Sequence, residues 1–129
     1  MGAIKQFEDI IAWQQASELV REVYKSTSKG DFQRDFGLRD QIRRSSISVV
    51  SNIAEGFERG GDKEFIQYLY VAKGSSGELR AQLHVARDLD YLTVESYRHL
   101  RELAIKTGEL IFGLIRYLKK SEFKGKKFK

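Results

Sequence analysis

Residues 38–59, LRDQIRRSSISVVSNIAEGFER, and residues 62–89, DKEFIQYLYVAKGSSGELRAQLHVARDL, decide the fold. In the second segment, apolar or small residues recur in alternating steps of four and three, which predicts the buried seam of an amphipathic helix. The seam comprises Phe65, Leu69, Ala72, Ser76, Leu79, Leu83 and Ala86. In the first segment the corresponding stripe comprises Ile42, Val49, Ile53 and Phe57. Gly60 and Gly61 interrupt the period, so we expect two successive helices with Asp62 capping the second.

Two further helical patterns flank this pair. Residues 7–27 contain an apolar stripe of Ile10, Trp13, Ala16, Val20 and Val23. Thr93 is the predicted N-cap of a last helix, whose stripe comprises Leu100, Leu103, Thr107, Leu110, Leu114 and Leu118. The polar segment 28–37 contains two glycines and interrupts the helical period, so it is predicted to be a connection. We expect its two phenylalanines, Phe32 and Phe36, to pack against the helices.

The chain contains no proline, which favours long helices because proline lacks the N–H that a helix interior needs. Four helices with short connections can bury one another's apolar stripes, so we predict an all-α fold, an antiparallel up-down-up-down four-helix bundle. We assign residues 1–120 to the bundle and residues 121–129 to a basic, flexible C-terminal tail.

Length and composition exclude several classes of protein. A chain of 129 residues suits one domain, and 41% hydrophobic residues suffice for a core. The absence of cysteine excludes a disulfide framework and thiolate metal ligands. No apolar run approaches the ~18–20 residues that span a bilayer, and the N-terminus lacks a signal-peptide pattern. We therefore expect a cytoplasmic protein with no membrane partner.

Residues suited to catalysis are few. The two histidines, His84 and His99, fall on different predicted helices, and no Asp, Glu or His accompanies them at metal-ligand spacing. Small helical ribonucleases use Arg and His separated by four to six residues, whereas only three separate Arg80 from His84. We therefore predict no enzyme activity, no catalytic residue, no metal and no cofactor.

Polar and small residues on the two central helices suggest a packing role. Helix two has a polar stripe between apolar arcs, which indicates either a solvated face or a partly buried seam at a subunit contact. Two glycines inside helix three are unfavourable unless two backbones approach closely there. The predicted oligomer or packing residues are Ser48, Asn52, Glu55, Gly74, Ser75, Gly77 and Glu78. We expect Glu78 to pair with Arg44.

Positive charge is concentrated near the C-terminus. Residues 116–129 contain seven Lys or Arg and one Glu, which gives them a net charge of +6. The whole chain carries +5, so the residues before 116 sum to −1. Lysines neutralise phosphates and aromatic rings stack on unpaired bases, which favours binding to single-stranded or looped RNA. The alternative, a solubilising terminus that binds nothing, stays open. The predicted nucleic-acid-binding residues are Arg39, Arg43, Arg44, Arg116, Lys119, Lys120, Phe123, Lys124, Lys126, Lys127, Phe128 and Lys129.

Three linked motifs identify a family. They are QIRRSSIS (41–48), SNIAEG-x-x-RG (51–60) and EF-x-x-x-L-x-x-A-x-GS-x-x-EL (64–79). Together they resemble the four-helix-bundle family whose founding members are encoded by intervening sequences inside bacterial 23S ribosomal RNA genes. The opening FED and WQ, at 7–9 and 13–14, and the closing segment are similar too. Val49-Val50 departs from the Ile-Pro common in the family, so a proline kink in helix two is not expected.

The resemblance implies a ring-like homopentamer of bundles without known catalytic activity. A related branch, the accessory variability proteins of diversity-generating retroelements, comprises basic pentamers that bind nucleic acid and a reverse transcriptase. The leading hypothesis is therefore a non-enzymatic, oligomeric nucleic-acid-binding protein, with RNA favoured over DNA. The alternatives are a scaffold that recruits a protein partner such as a reverse transcriptase and, as a distant third, a helical ribonuclease.

Overall fold

The computed structural model describes residues 4–127, with side chains up to residue 121. This part of the chain contains four α-helices and no strand: α1 (Ile11–Thr27), α2 (Phe36–Glu58), α3 (Asp62–Asp88) and α4 (Val94–Lys127). Short 3₁₀ turns at Phe7–Asp9 and Gly30–Arg34 precede α1 and α2. The all-α prediction is confirmed, and four helices are consistent with a four-helix bundle.

Side-chain caps define two of the helix starts. Asp35 Oδ1 accepts the backbone N–H of Leu38 at 3.1 Å, which fixes the first turn of α2. Thr93 Oγ1 accepts the N–H of Ser96 at 3.0 Å, so the predicted cap of the last helix is confirmed. The predicted Asp62 cap is wrong, because Gly61 is the N-cap of α3 and no side chain caps that start. Asp62 is instead the first helical residue, where its charge suits the helix dipole.

Each helix packs on two others, in the order α1, α2, α3, α4 and back to α1. All seven predicted seam residues of α3 are buried, so that part of the prediction is confirmed. On α4 the buried residues are Leu100, Ala104, Thr107, Ile111, Ile115 and Leu118. The predicted Leu103, Leu110 and Leu114 lie half-buried beside them. Period alone does not fix which of two adjacent apolar stripes faces the core.

Contacts between neighbouring helices pair early residues of one helix with late residues of the next. Ser45 Oγ donates to Gln82 Oε1 at 2.8 Å, whereas Gly56, further along α2, packs against Phe65 near the start of α3. Ser76 Oγ donates to the carbonyl of Ala104 at 2.8 Å, which joins α3 to α4. These hydrogen bonds satisfy hydroxyls inside the apolar interior, and no buried side-chain polar atom among the described residues lacks a partner.

Among the described glycines, Gly56, and neither glycine of helix three, lies closest to a neighbouring helix. A Cβ at Gly56 would lie 2.6 Å from Tyr68 Cβ and 3.0 Å from Phe65 Cδ1. At Gly74 and Gly77 a Cβ would meet nothing within 4 Å, so within the chain the predicted close approach at these two positions is wrong. Both glycines lie on the exposed surface of α3.

The ends of the elements also differ from expectation. Phe32 is fully buried as predicted, but Phe36 begins α2 and is 63% exposed. α4 continues to Lys127, beyond the end near residue 120 that the apolar pattern predicts. Leu118 is the last buried residue of α4 among the side chains that the structure describes, yet the following lysines and glutamate favour helix, so the backbone continues in the same conformation. No helix in the described part of the chain combines the length and hydropathy needed to cross a membrane.

Candidate nucleic-acid interface

The outer face between α3 and α4, which we call the α3–α4 face, carries seven of the cations that the structure describes. On α3, Lys73, Arg80 and Arg87 are separated by seven residues each and lie on one side of the helix. On α4, the facing cations form two pairs, Arg98 with Arg101 and Arg116 with Lys119. All seven residues are exposed.

Few carboxylates offset these cations. Arg87 Nη2 pairs with Asp88 Oδ1 at 3.2 Å, but the other six make no ion pair within residues 4–121. Glu109 lines a groove of about 270 Å³ in the middle of the face, together with Lys73, Arg80 and Gly77. The face therefore presents a row of cations with one carboxylate near its centre, which is a surface suited to a polyanion.

Two exposed aromatic rings lie among the cations at the end of the face near the chain's C-terminus. Phe112 is 41% exposed, with Lys73 Nζ 5.6 Å and Arg116 Cζ 5.9 Å from its ring centroid. Tyr70 is 42% exposed; Lys119 Nζ lies 5.0 Å from its centroid and donates to its hydroxyl at 2.7 Å. Cations within ~6 Å of a ring are held by its quadrupole, so the rings position these side chains at the surface.

At the opposite end of the face, a groove of about 570 Å³ is lined mainly by basic and aromatic side chains. The Arg87 guanidinium lies 4.8 Å from the Tyr97 ring centroid, and Arg98 and Arg101 line the same groove. His84 Nδ1 is 3.4 Å from Asp88 Oδ2, and its Nε2 is 2.9 Å from Arg87. Both ring nitrogens of His84 are thus engaged by neighbours on α3.

The residues weighed for catalysis, for which we predict no catalytic role, are Arg80, His84 and His99. Arg80 and His84 lie on the same side of α3 but line different grooves, and His99 is exposed. Among the described residues, no three His, Cys, Asp or Glu side chains are grouped so that they could hold a metal ion.

The predicted arginines of helix two lie elsewhere. Arg39 donates to Asp40 Oδ1 at 3.0 Å and to the carbonyl of Gln33 at 3.1 Å. Arg43 donates to Thr27 Oγ1 at 2.9 Å and to Ser28 Oγ at 3.0 Å, so it ties α2 to the end of α1. Both guanidinium groups are therefore already bonded within the chain.

Arg44 differs from these two. It is exposed and lines a mixed groove of about 480 Å³ that also contains Tyr24, Arg43 and Ile47. It does not pair with Glu78, so that predicted ion pair is wrong: Glu78 Oε1 accepts from Gln82 on its own helix at 3.2 Å.

The structure describes only part of the predicted tail site. Arg116 and Lys119 lie on the α3–α4 face, and Lys120 is exposed beside them. The backbone of the next four predicted residues continues α4, and their side chains lie outside the described part: Phe123, Lys124, Lys126 and Lys127. Phe128 and Lys129 lie outside the described residues altogether.

Of the predicted packing residues, Ser48 and Ser75 form a hydrogen bond between α2 and α3. The hydroxyls of Ser48 and Ser75 are 2.8 Å apart, and Asn52 Nδ2 donates to the Ser48 carbonyl at 2.8 Å. Glu55 faces solvent, 3.9 Å from Arg59. The Ser48–Ser75 contact joins two helices of one chain, whereas the Asn52 and Glu55 contacts lie within α2 and its C-cap, and the subunit contact stays a prediction.

Sequence reasoning missed Lys73, Arg80 and Arg87 as a group. Each follows a residue of the α3 seam by one position, so all three project to one side of that seam. This spacing was a usable signal. The cations of α4 become neighbours of these three residues only because α3 packs on α4.

Comparison with known proteins gives one family and one fold. The model of the family described as 23S rRNA-intervening sequence protein matches residues 8–113. A crystal structure of a protein of unknown function from the S23 ribosomal protein family of Bacteroides thetaiotaomicron superposes with a TM-score of 0.75. It is 24% identical, and the match covers 82% of this chain and 96% of that one, so it shows the shared fold. Among curated proteins, none matches this chain.

Proposed function

This chain belongs to the family of 23S rRNA-intervening sequence proteins, and we propose that it binds nucleic acid, RNA in preference to DNA, without catalysing a reaction. The observation that supports this most is the row of cations on the α3–α4 face, six of which make no ion pair within residues 4–121. Lys and Arg that displace counterions from a phosphate backbone supply most of the affinity in non-specific binding.

The proposed assembly is an antiparallel up-down-up-down bundle that forms a ring-like homopentamer. The pairing of early with late residues between successive helices supports the antiparallel arrangement. A subunit contact beside the α2–α3 seam is supported by Val71, 53% exposed, and by Gly74, where added atoms meet open space. Several basic faces in one assembly raise affinity for a long nucleic acid, because later contacts become intramolecular.

A second candidate function is a scaffold that recruits a protein partner, such as a reverse transcriptase. The mixed groove beside α1 and α2 favours it, because Tyr24 and Ile47 are 38% and 39% exposed there next to Arg44. Aromatic and arginine side chains together are typical of protein interfaces. A pulldown with crosslinking that returns a protein, and no RNA, would support this candidate over the first.

The test of the leading proposal removes two cations from the face. Arg98→Gln with Arg101→Gln takes two positive charges from the larger groove, and neither guanidinium makes an ion pair in the described structure. We expect weaker binding to a labelled RNA in fluorescence anisotropy, and a log K against log salt slope shallower by about 0.7 per lost single-strand contact.

A matched control removes the same charge elsewhere. Lys29→Gln with Lys106→Gln changes two exposed lysines that line neither groove of the α3–α4 face. Equal losses in both variants would show that net charge alone matters and would contradict a localised site. Wild-type protein that binds no RNA at low salt would contradict the proposed function itself.

A further inference from the structure

The end of the α3–α4 face near the C-terminus combines cations with exposed rings, and this combination points to the form of nucleic acid that it takes. We infer that Phe112 and Tyr70 stack on unpaired bases while the surrounding cations bind the adjoining phosphates. The ligand class is single-stranded RNA, bound without sequence reading. This inference rests on the proposed function and specifies its substrate.

The exposure of the two rings is the first argument. Large aromatic side chains are usually buried in the core, yet Phe112 and Tyr70 keep 41% and 42% of their surface accessible. Phe112 also lines the central groove, so part of its exposed surface borders that groove. A base that stacks there removes apolar ring surface from water, which favours binding whatever the base.

The positions of the cations are the second argument. Lys73 and Arg116 approach Phe112 at 5.6 and 5.9 Å, close to the outer limit for a cation held by a ring. Neither makes an ion pair within the described residues, so each can turn to a phosphate without breaking a salt bridge. Lys119 lies 5.0 Å from the Tyr70 ring centroid, and it makes no ion pair within the described residues, although binding a phosphate exchanges its hydrogen bond to the Tyr70 hydroxyl.

Duplex nucleic acid does not suit this end of the face. The bases of a duplex are stacked on one another, so their faces are not available to a protein ring unless the helix opens. Cations bind the phosphates of both forms, whereas the rings gain contacts only from a single strand. The rings therefore predict a preference for unpaired RNA that charge alone does not give.

The experiment compares two RNAs and three single variants. The probes are an unstructured oligouridine of about 20 nucleotides, longer than one protein's usual site, and an RNA duplex of equal length. Phe112→Leu and Tyr70→Leu remove the rings and keep the charges. The matched control is Phe36→Leu, an exposed ring 4.7 Å from Arg39 at the start of α2, away from this face.

We expect Phe112→Leu and Tyr70→Leu each to bind oligouridine about fivefold to a hundredfold more weakly, with an unchanged salt slope. Duplex binding should stay within twofold of wild type, and Phe36→Leu should behave as wild type with both probes. Equal losses on both probes, or no loss on either, would overturn the stacking inference. If the stacking inference fails in this way but Arg98→Gln with Arg101→Gln binds RNA more weakly than wild type, the proposed function stands. If wild type binds neither probe, the proposed function fails instead.

Discussion

The hydroxyl of Tyr91 donates a 2.9 Å hydrogen bond to Asp35 Oδ2, while Oδ1 of the same carboxylate caps α2 through the N–H of Leu38. Asp35 therefore joins the segment before α2 to the segment before α4. The Tyr91 ring also stacks on the buried Phe32, with centroids 5.2 Å apart. One carboxylate and one ring pair thus hold together the two connections at this end of the helices.

This hydrogen bond predicts a pH dependence. Hydrogen bonding to Asp35, followed by desolvation and the negative charges of Asp35 and Asp31, raises the pKa of Tyr91 above its ordinary value of about 10. The folded state therefore favours the neutral phenol. The Tyr91 hydrogen bond stabilises the folded state fully below about pH 10, and this stabilisation is lost as the pH rises through the raised pKa of Tyr91. Tyr91→Phe should lower the free energy of unfolding at neutral pH and abolish this component of the alkaline decline.

The measurement is urea unfolding of both proteins at equal concentration from pH 7 to pH 11. The chain contains five other tyrosines, so the quantity to follow is the difference between the two proteins at each pH. A difference that stays constant to pH 11 would contradict a role for the Tyr91 phenol. Asp35→Ala removes the cap as well, and it should destabilise by about 0.5–2 kcal/mol through that loss alone.

Sequence periodicity was enough to predict four helices and the seam of α3, because a helix buried on one stripe must repeat its apolar residues every three or four positions. It did not show that Asp35 bonds Tyr91, since the two lie 56 positions apart in the sequence and only the packed helices bring them together. Phe36 shows the same limit. Its apolar side chain predicts burial, but it begins α2 on the exposed side, with Arg39 over its ring.

The candidate site was predictable only in part. Clustering of lysines along the chain is visible in the sequence, so Arg116, Lys119 and the lysines after them were predicted as binding residues. The cations of α3 are spread over fifteen residues, and residues of the buried seam lie between them. Arg39 and Arg43 have the right chemistry for phosphate binding, but local acceptors at the end of α1 and before α2 already engage them.

Gly56 and Gly77 should respond in opposite directions to the same substitution. Gly56→Ala forces a methyl group to within 2.6 Å of Tyr68 Cβ, an atom fixed to the backbone, so α2 and α3 must separate. We expect a loss of about 1–3 kcal/mol in urea unfolding. Gly77→Ala meets nothing within 4 Å and should stabilise by roughly 0.5–1 kcal/mol, since alanine favours helix. A Gly56→Ala variant as stable as wild type would contradict the close approach at Gly56, and a destabilised Gly77→Ala would contradict the open space at Gly77.

Gly74→Leu separates folding from assembly. Within the chain this side chain projects into open space, so the thermal stability of the bundle should not fall. If the proposed subunit contact includes this face, four added heavy atoms prevent close approach and shift the assembly toward smaller species. Analytical ultracentrifugation over a range of concentrations measures this, with Gly77→Leu on the adjacent α3–α4 face as the control. An intact oligomer with Gly74→Leu would place the contact elsewhere, and a monomeric wild type would contradict the oligomer.

The last prediction divides RNA affinity between the α3–α4 face and the C-terminal residues. Deleting 121–129 removes four lysines, two phenylalanines and one glutamate, and it leaves in place Leu118, the last buried residue of α4 up to position 121. Unfolding free energy and oligomeric state should therefore change little. Binding should weaken and the salt slope become shallower by about 0.7 for each lost single-strand contact.

The shortened chain keeps Phe112, Arg116 and Lys119, so measurable binding to oligouridine should remain and should still fall on adding Phe112→Leu. Effects of the deletion and of Phe112→Leu should add, because they remove separate contacts. Complete loss of binding on deletion, combined with wild-type affinity for Phe112→Leu in the full chain, would assign the whole site to residues 121–129. Full affinity and an unchanged slope after deletion would assign it to the helices instead, with the terminal lysines serving only solubility.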